Sequence, residues 1–158
     1  MKELILIFIY WLHLSSTVVW IGGIFFILFI ASPSARKISN IEASKIMGYI
    51  SKRFTTIANY SILILMLTGI ILTVFNKSYT GMGKIENTWT LIFVIKHIVV
   101  FLMIGIHFYR QLILSRKIDN TISPEKKTYL QKMSLLFVKF NFILGMIVLF
   151  LSGIRSIL

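Results

Sequence analysis

Four ionisable side chains stand where such groups are costly. His13, Lys96, His97 and His107 all fall inside long apolar runs of this 158-residue chain. An ionisable group at membrane depth costs roughly 2.5–3.5 kcal/mol on insertion scales, so residues of this kind ordinarily serve ligation, proton transfer or ion pairing. The chain has no Cys, which removes disulfides, thiolate ligands and thiol redox chemistry. A metal would have to be held by His, Met, Lys or oxygen ligands. No residue pattern assigns a catalytic group.

His13 and His97 each lie about nine residues in from the outer end of an apolar run, at about 1.5 Å per residue. Two imidazoles at matched depth on facing helices suit a six-coordinate haem b, with Trp20 and nearby Phe side chains packing the ring. Copper is the alternative metal for His13 and His97. Lys96 and His107 share a helix face about 16 Å apart in depth. His107 is the weaker ligand candidate, suited to a second site, a proton path or a propionate contact. The plainer reading is that these histidines bond across helices to Ser16, Thr17, Asn59 or Asn141. The Met residues form no close cluster, which favours a core role over a soft copper site.

The elements that must carry these residues are legible from composition. The chain is 57% hydrophobic and only 14% charged. Four apolar stretches, Leu4–Ala31, Ile57–Phe75, Trp89–Leu114 and Ser134–Leu158, account for the excess. Each reaches the ~20 residues a helix needs to cross the hydrocarbon core. The expected fold is all-α: an integral membrane four-helix bundle forming one domain over residues 1–158, with helices about 4–31, 55–75, 88–114 and 134–157. The first stretch is too long for a signal-peptide core and reads as a retained helix. No tandem repeat is visible.

The net charge of +12 follows topology rather than nucleic-acid binding. Arg36, Lys37, Lys45, Lys52 and Arg53 lie between helices one and two. Arg110, Arg116, Lys117, Lys126, Lys127 and Lys132 lie between helices three and four. Only Lys2, Lys77, Lys84 and Arg155 belong to the other side. Basic short loops stay cytoplasmic, which predicts both termini outside and a multi-pass protein of the cell membrane. The lipid bilayer is then the first partner, a quinol or protein redox partner the second; homo-oligomerisation stays open.

Helical spacing predicts several inward stripes. Helix one aligns His13, Ser16, Thr17 and Trp20; helix two aligns Asn59, Ile62, Met66, Gly69 and Thr73. Helix three aligns Lys96, Val100, Met103, His107 and Arg110, with His97, Phe101, Gly105 and Phe108 on a second face. Helix four aligns Asn141, Gly145, Val148 and Ser152. Gly22 and Gly23 leave room for a backbone or a flat ligand. Pro33 marks the exit of helix one, and a basic amphipathic helix is expected to lead into helix two. Ser123-Pro124-Glu125 reads as the start of a helix running on into helix four. Thr80-Gly81-Met82-Gly83-Lys84 lacks phosphate-loop spacing and is expected to be a turn.

At these residues the chain resembles the copper-resistance protein D (CopD) domain family. The likeness is carried by Leu12-His13 with Trp20-Ile21-Gly22-Gly23, by Arg53-Phe54, Ile57-Ala58 and Leu67-Thr68-Gly69, and by Lys96. It also resembles the related HemJ family of haem-binding proteins linked to protoporphyrinogen IX oxidation. There the matching features are a His seven residues before a Trp, as His13 and Trp20, and a Lys eleven before a His, as Lys96 and His107. Pro33, 13 residues past Trp20, follows the CopD spacing instead. The resemblance implies functional weight for His13, Lys96 and His107, while His97 rests on its depth alone. Three functions follow as expectations: a haem b electron-transfer protein, a copper-handling membrane protein, or a HemJ-like porphyrinogen oxidase.

Overall fold

The computed structural model describes residues 1–37, 40–75 and 88–157, and every element among them is helical. The Thr80–Lys84 turn expected from the sequence lies outside the described residues. Four helices are long and apolar enough to cross a membrane: Lys2–Ala35, Glu42–Val74, Thr90–Asp119 and Pro124–Ile154. Their apolar residues face outward in large numbers, Phe8, Val18, Leu63, Ile98 and Phe150 among them. This is the pattern of side chains whose solvent is lipid.

The chain divides into two compact units, Met1–Thr80 and Gly81–Leu158. In the first, α1 (Lys2–Phe26) passes through a π-helical turn (Ile27–Ala31) into the short α2 (Ser32–Ala35). The chain then returns as α3 (Asn40–Val74), which packs along α1. Lys2 Nζ sits 5.1 Å from the centre of the Phe75 ring, tying the start of α1 to the end of α3. At 35 residues α3 is about 52 Å long, well beyond the ~30 Å hydrocarbon core. Its first turns carry the exposed Lys45, Lys52 and Arg53, so the expected amphipathic lead-in and helix two are one continuous helix.

The second unit repeats this order. α4 (Thr88–Tyr109) runs through a π turn (Arg110–Leu114) into α5 (Ser115–Asp119), and α6 (Pro124–Ile157) packs back along α4. The edge-on contact of Tyr109 with Phe137, 5.6 Å between ring centres, sets their antiparallel register. Ser123 caps α6 as its sequence suggests, its Oγ accepting from the Lys126 N–H at 3.5 Å and its carbonyl from the Lys127 N–H at 2.9 Å.

The two π turns explain where the sequence-based helix ends differ from the structure. Pro33 does not end helix one; it sits in the first turn of α2, where a missing N–H is tolerated. Nor does helix three stop at Leu114, because α5 extends it to Asp119. In each wide turn the next amide bonds five residues back, Ser32 N–H to the Ile27 carbonyl and Ser115 N–H to the Arg110 carbonyl. The extra residue keeps Ile27, Ala31 and Ala35 on one buried line, where an unbroken α-helix would drift off it at 3.6 residues per turn.

Candidate functional site

In the first unit the site is built around His13. Its imidazole is half-buried and its Nδ1 lies 2.9 Å from Thr68 Oγ1 on α3. The Thr68 hydroxyl has one proton and gives it to the Ile64 carbonyl at 2.6 Å. Thr68 must therefore accept from His13, which makes Nδ1 the protonated nitrogen and leaves the lone pair on Nε2. Thr17 Oγ1 donates to the His13 carbonyl at 2.9 Å, fixing the backbone beneath it. On α3 Gly69 completes the wall: a Cβ there would stand 3.6 Å from His13 Cε1, in ordinary contact with the ring.

The predicted face of helix one is the packed one, with Ser16 and Trp20 buried and Thr17 half-buried. Trp20, at 3% exposure, is a principal anchor of the α1–α3 contact. Gly23 earns its place sterically, since a Cβ at that position would run into the Phe54 ring. Gly22 has open space instead. On α3 the buried line is Ala58, Ser61, Ile62 and Thr68. The expected stripe from Asn59 to Thr73 is thus rotated by about one residue, with Met66 turned outward.

The second unit holds Lys96, His97 and His107. His97 Nδ1 lies 2.7 Å from the Phe93 carbonyl one turn back. A carbonyl can only accept, so Nδ1 carries the proton here too and Nε2 the lone pair. The Phe93 ring lies against that imidazole, 4.1 Å between centres. His97 is half-buried, whereas Phe101 and Phe108 on its face are exposed. Lys96 is half-buried on the other stripe, which leads to Met103 and His107, exposed by only 1% and 3%. Facing them on α6 are the buried Asn141, Gly145 and Val148.

The structure therefore places His13 and Trp20 in one unit and Lys96, His97 and His107 in the other. Thr68 is the functional partner that residue patterns missed, because a hydroxyl 55 residues away in sequence announces nothing by spacing. Gln111 was also missed; its Oε1 is buried in the π turn without a donor. Among the described residues no three or more of His, Cys, Asp and Glu gather into a group that could hold a metal ion. The donor sets present are single imidazoles, each held by a second bond, which suits axial ligation better than a clustered ion site.

Four membrane-length helices in two antiparallel pairs define a multi-pass helical membrane protein. Residues 48–155 match the family model described as Copper resistance protein D (CopD), and the chain belongs to that family. The match takes in Arg53-Phe54, Leu67-Thr68-Gly69, Lys96 and His107, and begins after His13 and Trp20. No curated protein and no solved structure matches the chain.

Proposed function

We propose that this CopD-family chain is a haem b-binding redox protein of the cell membrane, with both termini outside and His13 as an axial ligand. The observation that carries the reading is the Thr68 bond, which fixes the neutral His13 tautomer whose Nε2 lone pair suits iron. A His that merely bridges helices has no need of this arrangement, although it is compatible with it. Bound haem would supply one-electron chemistry, passing an electron between a quinol or outer donor and a redox partner. The protein's part is to orient the imidazole through Thr68 and Thr17 and to leave space beside it at Gly69.

The test is the visible spectrum of the solubilised chain, with a pyridine haemochrome to identify the haem. The intact chain should show a Soret band that dithionite shifts, and His13→Ala should lose it. Separate His97→Ala, His107→Ala and Lys96→Ala variants identify the second axial ligand from the change in spin state.

A second reading is favoured by the family's description, which names copper resistance. Copper is then cargo, moved as Cu(I) between single His and Met donors rather than held in a resident cluster. A colourless chain that binds Cu(I) with His13-dependent affinity would favour this reading over haem.

A further inference from the structure

The two units are variations on one module, and the comparison isolates a site that packing does not demand. Their π turns begin at Ile27 and Arg110, 83 residues apart, and end at Ala31 and Leu114, with the same separation. At that offset Ile21, Gly22, Phe25, Ser32 and Phe54 meet the identical Ile104, Gly105, Phe108, Ser115 and Phe137. Buried Trp20 corresponds to buried Met103, and Ala31 to Leu114. Even the helix–helix register agrees: Phe54 lies against Gly23, and their counterparts Phe137 and Ile106 line one groove.

The first unit is thus an internal control for the second. Where it has Ile24, Ile27, Leu28 and Ala58, the second has His107, Arg110, Gln111 and Asn141. Ile24 and Ala58 are core residues, exposed by 3% and 0%. The module closes well with apolar side chains at these positions, so the polar set is an addition at a cost in desolvation.

Asn141 is 5% exposed, and its Oδ1 finds no donor among the described residues. The Gln111 Oε1 is likewise buried without a donor. The Tyr109–Phe137 contact puts Asn141, one turn further along α6, level with the Met103–His107 turn of antiparallel α4. Gln111 follows one turn nearer the loop that joins the pair. Two buried acceptors and an imidazole near one level call for a small donor.

We infer that the second unit holds an internal water site between α4 and α6, its water donating to Asn141 Oδ1 and Gln111 Oε1 beside His107. A buried water needs two to four polar partners and room of its own, and these three side chains are such a set. Water there makes His107 a proton-exchange point within a helix pair that is otherwise apolar. The inference is independent of haem: it concerns hydration of the second unit whatever His13 binds.

The absence of Cys makes the test direct. Single-cysteine variants Asn141→Cys and Gln111→Cys are compared with Ala58→Cys and Leu28→Cys at the corresponding positions of the first unit. The membranes are opened to both sides and treated with a small hydrophilic methanethiosulfonate, which reacts with the thiolate and therefore with hydrated thiols. The first pair should react at least about tenfold faster than the second, because the thiolate is the reactive form. Hydroxyl-radical footprinting of the unaltered chain gives a check that needs no variant. Radicals born from internal water should oxidise Met103, 1% exposed, in preference to lipid-facing Met146 on α6. The inference is overturned if the two cysteine pairs react alike, or, where those variants do not fold, if Met103 stays as unmodified as Met146.

Discussion

The hydroxyl of Thr68 does for His13 what a carboxylate or carbonyl commonly does for a metal-binding imidazole: it takes the Nδ1 proton and fixes the ring. Thr68→Val keeps the shape and removes the acceptor, so haem retention should fall and the reduction potential should shift. Thr68→Ser should restore both, measured by haem-to-protein ratio and redox titration. Interhelical bonds in membranes average ~0.6 kcal/mol and reach ~1–2, so Thr68→Val should leave the fold intact while the site responds. Gly23 gives a stability counterpart. Gly23→Ala meets the Phe54 ring, and overpacking of this kind costs about 1–3 kcal/mol. Thermal unfolding in detergent should show that loss, with recovery when Phe54→Leu is added, because the two residues share one contact. The sequence named His13, Trp20 and Gly23 because an ionisable group, an aromatic and a glycine pair stand out in an apolar run. It could not name Thr68 as a partner. A threonine in an apolar helix commonly bonds its own carbonyls, and Thr68 does this as well.

At the scale of elements, hydrophobic length delivers the four spans, and 3.6-residue periodicity delivers the faces that bury Ser16, Met103, His107 and Asn141. The helix ends were less legible. Pro33 looked like a stop, yet the second unit carries the same wide turn with Arg116 at the corresponding place. Proline is therefore not its cause, and no residue pattern marks a π turn. The consequence is testable. Deleting Ile30 should convert the turn to α-helix and rotate the following residues by about 100°, taking Ala31 and Ala35 off the buried line. Fluorescence-detected size exclusion should then show less monodisperse protein than deletion of one residue near Lys2.

On the scale of the whole chain, two units of one design differ in what they bury. The first holds an imidazole fixed by a hydroxyl; the second replaces part of the module's apolar core with His107, Gln111 and Asn141. Sequence comparison hides this kinship, because a membrane helix changes its apolar residues freely while keeping its wide turn and contact points. The CopD match crosses from the first unit into the second, so the family pattern belongs to the pair rather than to either half. The proposed division of labour puts redox ligation at His13 and water beside His107. Copper as cargo would require the same histidines to exchange a metal instead of holding one. The most direct measurement is the reduced-minus-oxidised spectrum of membranes containing the intact chain and its His13→Ala variant at equal expression. A b-type α band and Soret difference in the intact chain, lost in the variant, is the expected result. A featureless spectrum in the intact chain, or a band that survives His13→Ala unchanged, would contradict haem ligation by His13.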